Sequence, residues 1–258
     1  MKLKFFTASI SSISHPKENQ DAYFIDEKEG MAGVFDGVGG LSHAGQAASW
    51  AASCFQTELR LESLEKTFQK CHLTLKEKGI EAFGREGATT VAIVKIYPTK
   101  ETESLVVWGS VGDSRIYHLT SEGLQQVSIS DSLVTQALEK GWINQSKAEK
   151  INQATSLKGF NEVEKGLFQS RNILTQALGI GIFQPRIGKF KVKKGETVTL
   201  TTDGVSDNLT EKEISGILKQ AVKDPAKALV ETAAKVPQST SLRAKPDDIT
   251  AIVLRFEP

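Results

Sequence analysis

The sequence has few cysteines and no long apolar segment. Its two cysteines, Cys54 and Cys71, lack the number and spacing of a disulfide framework or a zinc site, so we expect ordinary buried or half-buried thiols. No apolar run approaches the ~18 residues that a membrane span needs, and Lys2 and Lys4 interrupt the segment where a signal peptide would be apolar. These absences predict a cytoplasmic protein with no membrane partner.

The sequence also lacks an excess of charge of either sign. It has 32 Lys and Arg against 31 Asp and Glu, a formal net charge of +1 at pH 7. A nearly neutral chain without a basic, aromatic-interleaved stripe has no field that would recruit nucleic acid, so any charged function must be local. The 258 residues contain no evident linker, repeat or low-complexity tract, which favours one domain over residues 1–258 and a monomer.

Three carboxylates stand at the ends of strand-like segments. Asp36 follows the apolar run 31–35 and precedes three glycines in four residues, which let the backbone turn tightly beside a ligand. Asp203 ends the alternating segment 197–202 in the same way and is also followed by glycine, while Asp247 precedes the strand-like run 249–256. Hard divalent cations prefer oxygen ligands. The three positions together predict a site for such a cation.

The order of predicted elements indicates a layered fold. Two groups of antiparallel strands are expected, with one helix pair after the first three strands and another before the last. The predicted strands cover 2–9, 22–26, 31–35, 88–97, 105–108, 115–119, 124–127, 186–192, 197–202 and 249–256. Burying all of these elements requires an α+β fold, a four-layer α-β-β-α sandwich of two mainly antiparallel sheets flanked by helix pairs.

Capping signals set the expected helix ends. Ser42 is expected to cap a helix over 43–60, and Gly79 to end a second helix over 61–78. Capping boxes are predicted at Ser146 with Glu149 and at Thr210 with Glu213. Asp224 before Pro225 predicts a capped helix start.

The segment 130–171 departs from the pattern of the core. It has helix signals at 133–140 and after 146, but 152–169 is polar, weakly periodic and contains glycine. From the residues alone, a mobile flap over a site and a surface insertion are equally good interpretations.

Seven motifs in order resemble the type 2C (PPM) family of metal-dependent Ser/Thr protein phosphatases, in its bacterial form. The motifs cover nearly the whole chain, and their order and spacing make a chance match very improbable. They are Glu-Asn-Gln-Asp at 18–21, Asp-Gly-Val-Gly-Gly at 36–40, Gly-Ala-Thr-Thr at 87–90, Gly109 with Gly-Asp-Ser-Arg at 112–115, Leu-Thr-Gln-Ala-Leu-Gly at 174–179, Thr-Asp-Gly-Val-Ser-Asp at 202–207 and Asp-Asp-Ile-Thr at 247–250.

The resemblance implies two Mg²⁺ or Mn²⁺ ions at one end of a helix-flanked β-sandwich. By position, Asp36 would bridge both ions, the Gly37 carbonyl would bind one of them, and Asp203 and Asp247 would complete the other. Asp21 would hydrogen-bond waters on the metals. In bacterial members a third, looser ion is implied at Asp113 and Asp203, next to a flap formed by the segment after residue 130.

The implied reaction is hydrolysis of phosphoserine and phosphothreonine in proteins by a metal-bridged hydroxide, with the metals neutralising charge on the phosphoryl oxygens. The partners would be phosphoproteins that a Ser/Thr kinase modifies. The sequence offers no Ser-His-Asp or Cys-His arrangement for a covalent route, since its four histidines are scattered.

Two departures from the family pattern concern substrate and proton transfer. Family members usually carry an Arg, which clamps the substrate phosphate bidentately, where this chain has Pro16; His15 and Lys17 flank it as substitute phosphate donors. The family also often has a His at the position of Val38, so a metal-bound water or His43 would protonate the leaving group.

The loss of the clamp leaves two alternatives to a phosphoprotein phosphatase. One is a catalytically weak or inactive phosphoprotein-binding module, a pseudophosphatase. The other is a metal phosphohydrolase of small phosphate esters with the same site chemistry. Three further polar residues have open roles: Asp248 is expected to be structural or near the metal ligands, Asp207 either structural or part of the site, and Arg115 the partner of a carboxylate.

Overall fold

The computed structural model describes residues 2–38, 43–220 and 222–257. The expected helix cap Ser42 and the motif glycines Gly39 and Gly40 lie outside these residues. The described strands are β1 (Lys2–Ile10), β2 (Asp21–Asp26), β3 (Met31–Asp36), β4 (Val91–Lys100), β5 (Glu103–Val111), β6 (Arg115–Leu119), β7 (Leu124–Gln126), β8 (Arg186–Lys193), β9 (Thr197–Thr201) and β10 (Ile249–Glu257). The described helices are α1 (Ala44–Glu58), α2 (Leu64–Phe83), α3 (Leu133–Glu139), α4 (Gln145–Asn152), α5 (Glu162–Gln169), α6 (Asp203–Ser206), α7 (Glu211–Lys219) and α8 (Pro225–Ala233).

The strands form two five-stranded antiparallel sheets. One has the order β1-β10-β9-β6-β7, and the other has the order β2-β3-β4-β5-β8. The first and last strands are neighbours, with Lys2 opposite Glu257 and Ile10 opposite Ile249. The chain crosses between the sheets in the short turn from β5 to β6. That crossing sets one wall of the candidate site.

Three apolar clusters separate four layers. One cluster joins α1 and α2 to the sheet of β2 and β3, a second fills the space between the two sheets, and a third joins α7 and α8 to the sheet of β1 and β10. Phe35, Ile252 and Leu229 are fully buried members of the three clusters, in that order. The fold is therefore the predicted α-β-β-α sandwich.

The second helix is longer than predicted because Gly79 doesn't end it. Gly79 lies inside α2, and a Cβ there would come within 2.3 Å of the Gly87 amide nitrogen. This glycine permits close contact between the helix and the segment that leads to β4. The helix ends instead at Gly84, whose φ of 68° is left-handed.

The expectation of two free thiols is wrong. Cys54 of α1 and Cys71 of α2 form a disulfide, with their Cα atoms 5.7 Å apart. The two helices lie side by side on one sheet, and Cys71 is fully buried between them. Two cysteines 17 residues apart gave no framework pattern in the sequence, and only the packing of the helices brings them together.

Helix starts follow the local capping chemistry. The capping box at Thr210 with Glu213 and the cap at Asp224 are confirmed. The Thr210 side chain accepts the Glu213 amide, and the Asp224 side chain accepts the Lys227 amide. Ser146 isn't a cap. The amide-bearing side chain of Asn144, two residues earlier, accepts the Lys147 amide and begins α4.

Residues 133–169 form three short helices with an apolar cluster of their own. Val134 of α3, Ile151 of α4 and Phe168 of α5 meet in this cluster. The stretch 152–169, which is polar and weakly periodic in sequence, contains a regular helix, because Asn161 and Glu164 make a capping box that begins α5. Among the described residues, no helix combines the length and the apolar character that crossing a membrane requires.

Candidate metal centre

Asp21 and Asp36 face each other across two neighbouring strands. Asp21 begins β2, Asp36 ends β3, and the two are directly paired in the antiparallel register. Thr90 fixes the backbone of Asp36, because its amide donates to the Asp36 carbonyl at 2.8 Å and its hydroxyl accepts the Asp36 amide at 3.1 Å. The hydroxyl of Thr89 donates to the same carbonyl at 2.8 Å. The Gly-Ala-Thr-Thr motif therefore positions the first carboxylate.

Gly37 permits a close approach after Asp36. A Cβ on Gly37 would lie 2.3 Å from the carbonyl oxygen of Ala44, so the first turn of α1 packs directly on this backbone. The Gly37 amide donates to the Gln20 carbonyl at 3.1 Å.

Asp113 lies in the turn where the chain crosses between the sheets. Gly112, before it, has a φ of 93°, and its amide donates to Asp131 Oδ2 at 2.9 Å. Asp131 is buried and also pairs with Arg186 Nε at 2.9 Å. The loop that leads to α3 thus holds the turn that carries Asp113.

Asp203 follows β9 as the first residue of the short helix α6, and Asp247 lies in the loop before β10. Thr202, just before Asp203, exchanges hydrogen bonds with Thr250, because the Thr202 amide donates to the Thr250 carbonyl at 3.1 Å and the Thr250 amide to the Thr202 hydroxyl at 3.0 Å. Both threonine hydroxyls donate to Asp21 Oδ2, at 2.8 and 2.6 Å. Side chains of both sheets are therefore joined at one end of the sandwich.

These elements enclose an acidic cleft of about 400 Å³. Carboxylate oxygens of Asp36, Asp113 and Asp203 all lie within 4.8 Å of one another. Asp247 and the ammonium-bearing Lys245 line the same cleft. The remaining lining residues are Gln20, Gly37, Val38, Thr90, Asn172 and Leu174.

One cation, Lys245, contacts the acidic side chains directly. Its ammonium contacts Asp203 Oδ2 and lies 3.0 Å from Asp247 Oδ2 and 3.1 Å from Asp207 Oδ2. Burial lowers the pKa of Lys245, but the charges of these carboxylates outweigh it and hold the pKa well above its usual value.

The carboxylates of the cleft lie close enough to repel one another. Burial, with the charge of Asp203 next in effect, raises the pKa of Asp36 and of Asp113 well above the usual range. Burial likewise raises the pKa of Asp203 to about 6, although the Lys245 charge opposes it. Such shifts arise where like charges are held together for a task, and a divalent cation would reverse them.

Unpartnered oxygens show that the residues suit a hard cation. Within the described parts of the chain, Oδ1 of Asp21 and Oδ1 of Asp203 are buried without a hydrogen-bond partner. A buried carboxylate oxygen without a partner is costly unless an ion or its waters bind it. Asp36, Asp113, Asp203 and Asp247 therefore make a suitable donor set for Mg²⁺ or Mn²⁺.

The structure doesn't bring the expected phosphate donors into the cleft. His15 donates from Nδ1 to the Glu18 carbonyl at 2.9 Å and lies 3.7 Å from Asp248 Oδ1, while Lys17 is exposed. Neither is among the described residues that line the cleft. His43 is likewise elsewhere, stacked on Phe83 with ring centroids 3.9 Å apart.

Asp248, next to Asp247, has a structural position. Its two oxygens accept the amides of Ser12 and Gln20, each at 2.7 Å. These bonds tie the loop before Asp21 to the start of β10.

Asp207 and Arg115 belong to a buried charge group beside the cleft. Asp207 lies 3.8 Å from Arg171 Nε. Burial raises the pKa of Asp207, but the charges of Lys245, Arg171 and Arg115 outweigh it and the pKa lies below its usual value. Arg115 donates to the Gln126 side chain at 3.3 Å.

Several residues that shape the site gave no sequence signal of their own. Asp131, Asn172 and Lys245 stand outside the matching motifs. Only the fold brings Asn172 and Lys245 into the cleft and Asp131 against the turn that carries Asp113.

An acidic cleft at one end of an α-β-β-α sandwich agrees with the class of metal-dependent protein phosphatases. The model of a family described as protein phosphatase 2C matches residues 11–244, and the chain belongs to that family. Lys245 and Asp247 follow the matched region.

Curated relatives agree with this assignment, and a solved structure shares the fold. The serine/threonine phosphatase stp of Listeria innocua is 27% identical over 218 residues, 80% of this chain and 78% of its own length. A putative protein phosphatase 2C-type of Streptococcus pyogenes is 28% identical and covers 93% of this chain and 92% of its own. The serine/threonine phosphatase PstP/Ppp of Mycobacterium tuberculosis superposes with a TM-score of 0.76 at 18% identity over the full length of both chains.

Proposed function

We propose that this protein hydrolyses phosphoserine and phosphothreonine in proteins at a centre of two Mg²⁺ or Mn²⁺ ions, with a third ion position at Asp113. The observation that carries the proposal is the approach of Asp36, Asp113 and Asp203 within 4.8 Å of one another in a cleft that also contains Asp247. A catalytic domain of PstP has been solved with two manganese ions, and that structure has a TM-score of 0.73 to this one. It supports the same kind of centre here.

Asp36 would bridge the two ions, with the Gly37 carbonyl on one and Asp203 and Asp247 on the other. When bound, the ions supply a lowered water pKa and neutralise charge on the phosphoryl oxygens. Orienting the water and enclosing the cleft would be done by residues of the protein itself.

Asp21 is the residue that would orient a water in the cleft. Thr202 and Thr250 occupy its Oδ2 and leave Oδ1 without a protein partner. Holding one oxygen rigidly while the other stays free fixes the direction in which an attacking water can donate its hydrogen.

The three-helix segment 130–171 would act as a flap beside the cleft in a single catalytic domain. Asp131, at its beginning, holds the turn of Asp113, and Asn172 and Leu174, just beyond its end, line the cleft. The substrates would be phosphoproteins that a Ser/Thr kinase modifies.

The test is turnover of a phosphothreonine peptide by the purified protein with millimolar Mn²⁺. We expect release of phosphate, and its loss on adding EDTA or on Asp36→Asn substitution. Full activity of either the chelated protein or the variant would refute the metal mechanism. Faster turnover of nucleotides or small esters than of the peptide would favour a small-molecule phosphohydrolase.

A pseudophosphatase is the second candidate, and the position of Lys245 favours it. The ammonium contacts Asp203 and Asp247, which would hold one of the ions, and no arginine stands at position 16. This candidate predicts phosphopeptide binding without turnover even at saturating Mn²⁺.

A further inference from the structure

Lys245 is built into the acidic cleft rather than resting at its surface. Its backbone is held on both sides by one buried side chain, because its amide donates to Asn208 Oδ1 at 3.0 Å and its carbonyl accepts Asn208 Nδ2 at 2.9 Å. Asn208 directly follows Asp207. The Cα of Lys245 is thus fixed next to the carboxylates, and the side chain has to span only the cleft.

The three partners of the ammonium are of two kinds. Asp203 and Asp247 are the pair assigned to one and the same metal ion, whereas Asp207 is assigned to none. The ammonium therefore contacts two of the three side chains that would hold this ion, the third being the bridging Asp36. Mg²⁺ binds oxygen ligands at about 2.0–2.1 Å and requires near-octahedral geometry, so an ion on these oxygens would compete with the ammonium for them and repel its charge.

We propose that Lys245 is a tethered cation that occupies one of the two metal positions in the metal-free protein, and that the ion must displace it to bind. The proposal rests on the metal centre proposed above. Asp207 makes the exchange feasible because it lies 3.1 Å from the ammonium and stays available as a partner after Asp203 and Asp247 have turned to the ion.

The charges in the cleft explain why such a cation is useful. Asp36, Asp113, Asp203 and Asp247 meet in one cleft, and Lys245 is the described lysine that reaches it. Without a counter-charge their repulsion would destabilise the folded protein. The same contact lowers the affinity for the ion, because only the fraction of molecules with Lys245 displaced is competent to bind.

The first test compares Mn²⁺ binding by titration calorimetry in wild type, Lys245→Met and the control Lys227→Met. Lys227 is exposed on α8 and pairs only loosely with Glu231, at 3.7 Å, so its loss removes one positive charge far from the cleft. We expect Lys245→Met to bind Mn²⁺ roughly 10- to 100-fold more tightly at one site, and Lys227→Met to match wild type.

The thermal midpoint gives a second readout on the same proteins. Without metal, Lys245→Met should melt below wild type, and saturating Mn²⁺ should remove the difference. Equal or weaker Mn²⁺ binding in Lys245→Met would overturn the proposal, as would a metal-free midpoint equal to that of wild type.

Crystal structures of the wild type with and without Mn²⁺ test the proposal even where the variant does not fold. Without metal, we expect Lys245 Nζ to contact Asp203 and Asp247. With Mn²⁺ bound, we expect it to contact Asp207 alone. An ammonium that still contacts Asp203 and Asp247 beside a bound ion would overturn the displacement. These measurements don't involve turnover, so a protein that exchanges Lys245 for Mn²⁺ but hydrolyses no phosphopeptide would refute the proposed function and leave this inference standing.

Discussion

The backbone of Gly204 lies directly against the carbonyl oxygen of Asp248. A Cβ on Gly204 would be only 2.0 Å from that oxygen, far inside van der Waals contact. Because Gly204 follows Asp203 and Asp248 follows Asp247, the contact fixes the separation of two proposed metal ligands that are over 40 positions apart in the chain. Glycine is required here for space rather than for an unusual φ.

Replacing Gly204 with alanine should push the two segments apart. We expect Gly204→Ala to lower the free energy of unfolding by about 1–3 kcal/mol and to weaken Mn²⁺ binding, as measured by urea unfolding and calorimetry. Gly216→Ala is the matched control, since Gly216 lies in α7 with open space around its Cβ position. The control should be stabilised by up to about 1 kcal/mol. Equal effects at both glycines would contradict the close contact.

The threonines that hold Asp21 should matter for metal binding as well as for folding, because the Thr202 hydroxyl also accepts the Thr250 amide. Thr202→Val removes a hydroxyl that donates to Asp21 Oδ2, and we expect a 10- to 100-fold loss, on the order of that seen for outer-sphere partners, in Mn²⁺ affinity or activity. Thr199→Val in the preceding strand β9 is the control, because within the described structure the Thr199 hydroxyl is buried without a hydrogen-bond partner. A similar loss of Mn²⁺ affinity or activity in Thr199→Val would show that the effect comes from disturbing this part of the sheet rather than from the hydrogen bond to Asp21.

His72 should make stability depend on pH. It is buried, accepts the Gly179 amide on Nδ1 at 3.0 Å and stacks on Phe183. Burial, assisted by Lys76, lowers the pKa of His72 below its ordinary 6.5. The unfolded chain then binds a proton that the folded protein doesn't, so stability should fall as pH decreases below about 6.5 towards the folded pKa.

The comparison with His72→Gln isolates this contribution from that of the acidic cleft. Urea unfolding in EDTA at pH 7.5 and 5.5 should show a larger advantage of wild type over the variant at the higher pH. The same difference at both pH values would mean that His72 doesn't titrate as the structure indicates.

The disulfide between α1 and α2 should stabilise the oxidised protein. It closes a separation of 17 residues, for which the chain-entropy model gives about 3 kcal/mol. We expect dithiothreitol, or Cys54→Ser with Cys71→Ala, to lower the free energy of unfolding by roughly that amount. Native protein that reacts with iodoacetamide before any reduction would contradict the bridge.

Arg243 should be needed for the packing of the three-helix segment. Its buried guanidinium donates to the carbonyls of Asn152 and Ala154 at 2.9 and 3.3 Å, and to those of Ser206 and Leu209 beside the site. Arg243→Met leaves these acceptors without a donor and should cost about 3 kcal/mol, with faster amide exchange in α4. Arg243→Lys keeps the positive charge but loses the branched guanidinium, so its loss of stability should be intermediate. Unchanged exchange in α4 would refute this anchoring role.

The fold was predictable because it follows from patterns that are local in the chain. The alternation in 197–202 and the apolar run 31–35 produced strands, and Thr210 with Glu213 produced a helix start, as their side-chain chemistry requires. The pairing of the two sheets then followed from the need to bury the apolar face of each sheet. Gly79 was misjudged because a glycine that ends a helix and one that admits a neighbouring backbone look alike in sequence.

The site was predictable where a motif defines it and not where the fold alone does. Asp36, Asp113, Asp203 and Asp247 meet as the motifs indicated. His15 and Lys17 were chosen for their nearness in sequence to Pro16, yet hydrogen bonds and solvent keep them out of the cleft. The cation that does reach it, Lys245, comes from a loop more than 220 residues later. No local pattern could have shown that.

The pairing of β1 with β10 has a consequence for how the protein is made. Asp21 and Asp36 leave the ribosome early, but Asp247 and β10, a central strand of the opposite sheet, emerge more than 200 residues later. Until then the acidic residues lack the neighbours that hold them, and the long-range strand pairing that closes the sheet is slow. A nascent chain should therefore be unable to bind metal or act on a phosphoprotein, and competence should arise in one step when β10 inserts between β1 and β9.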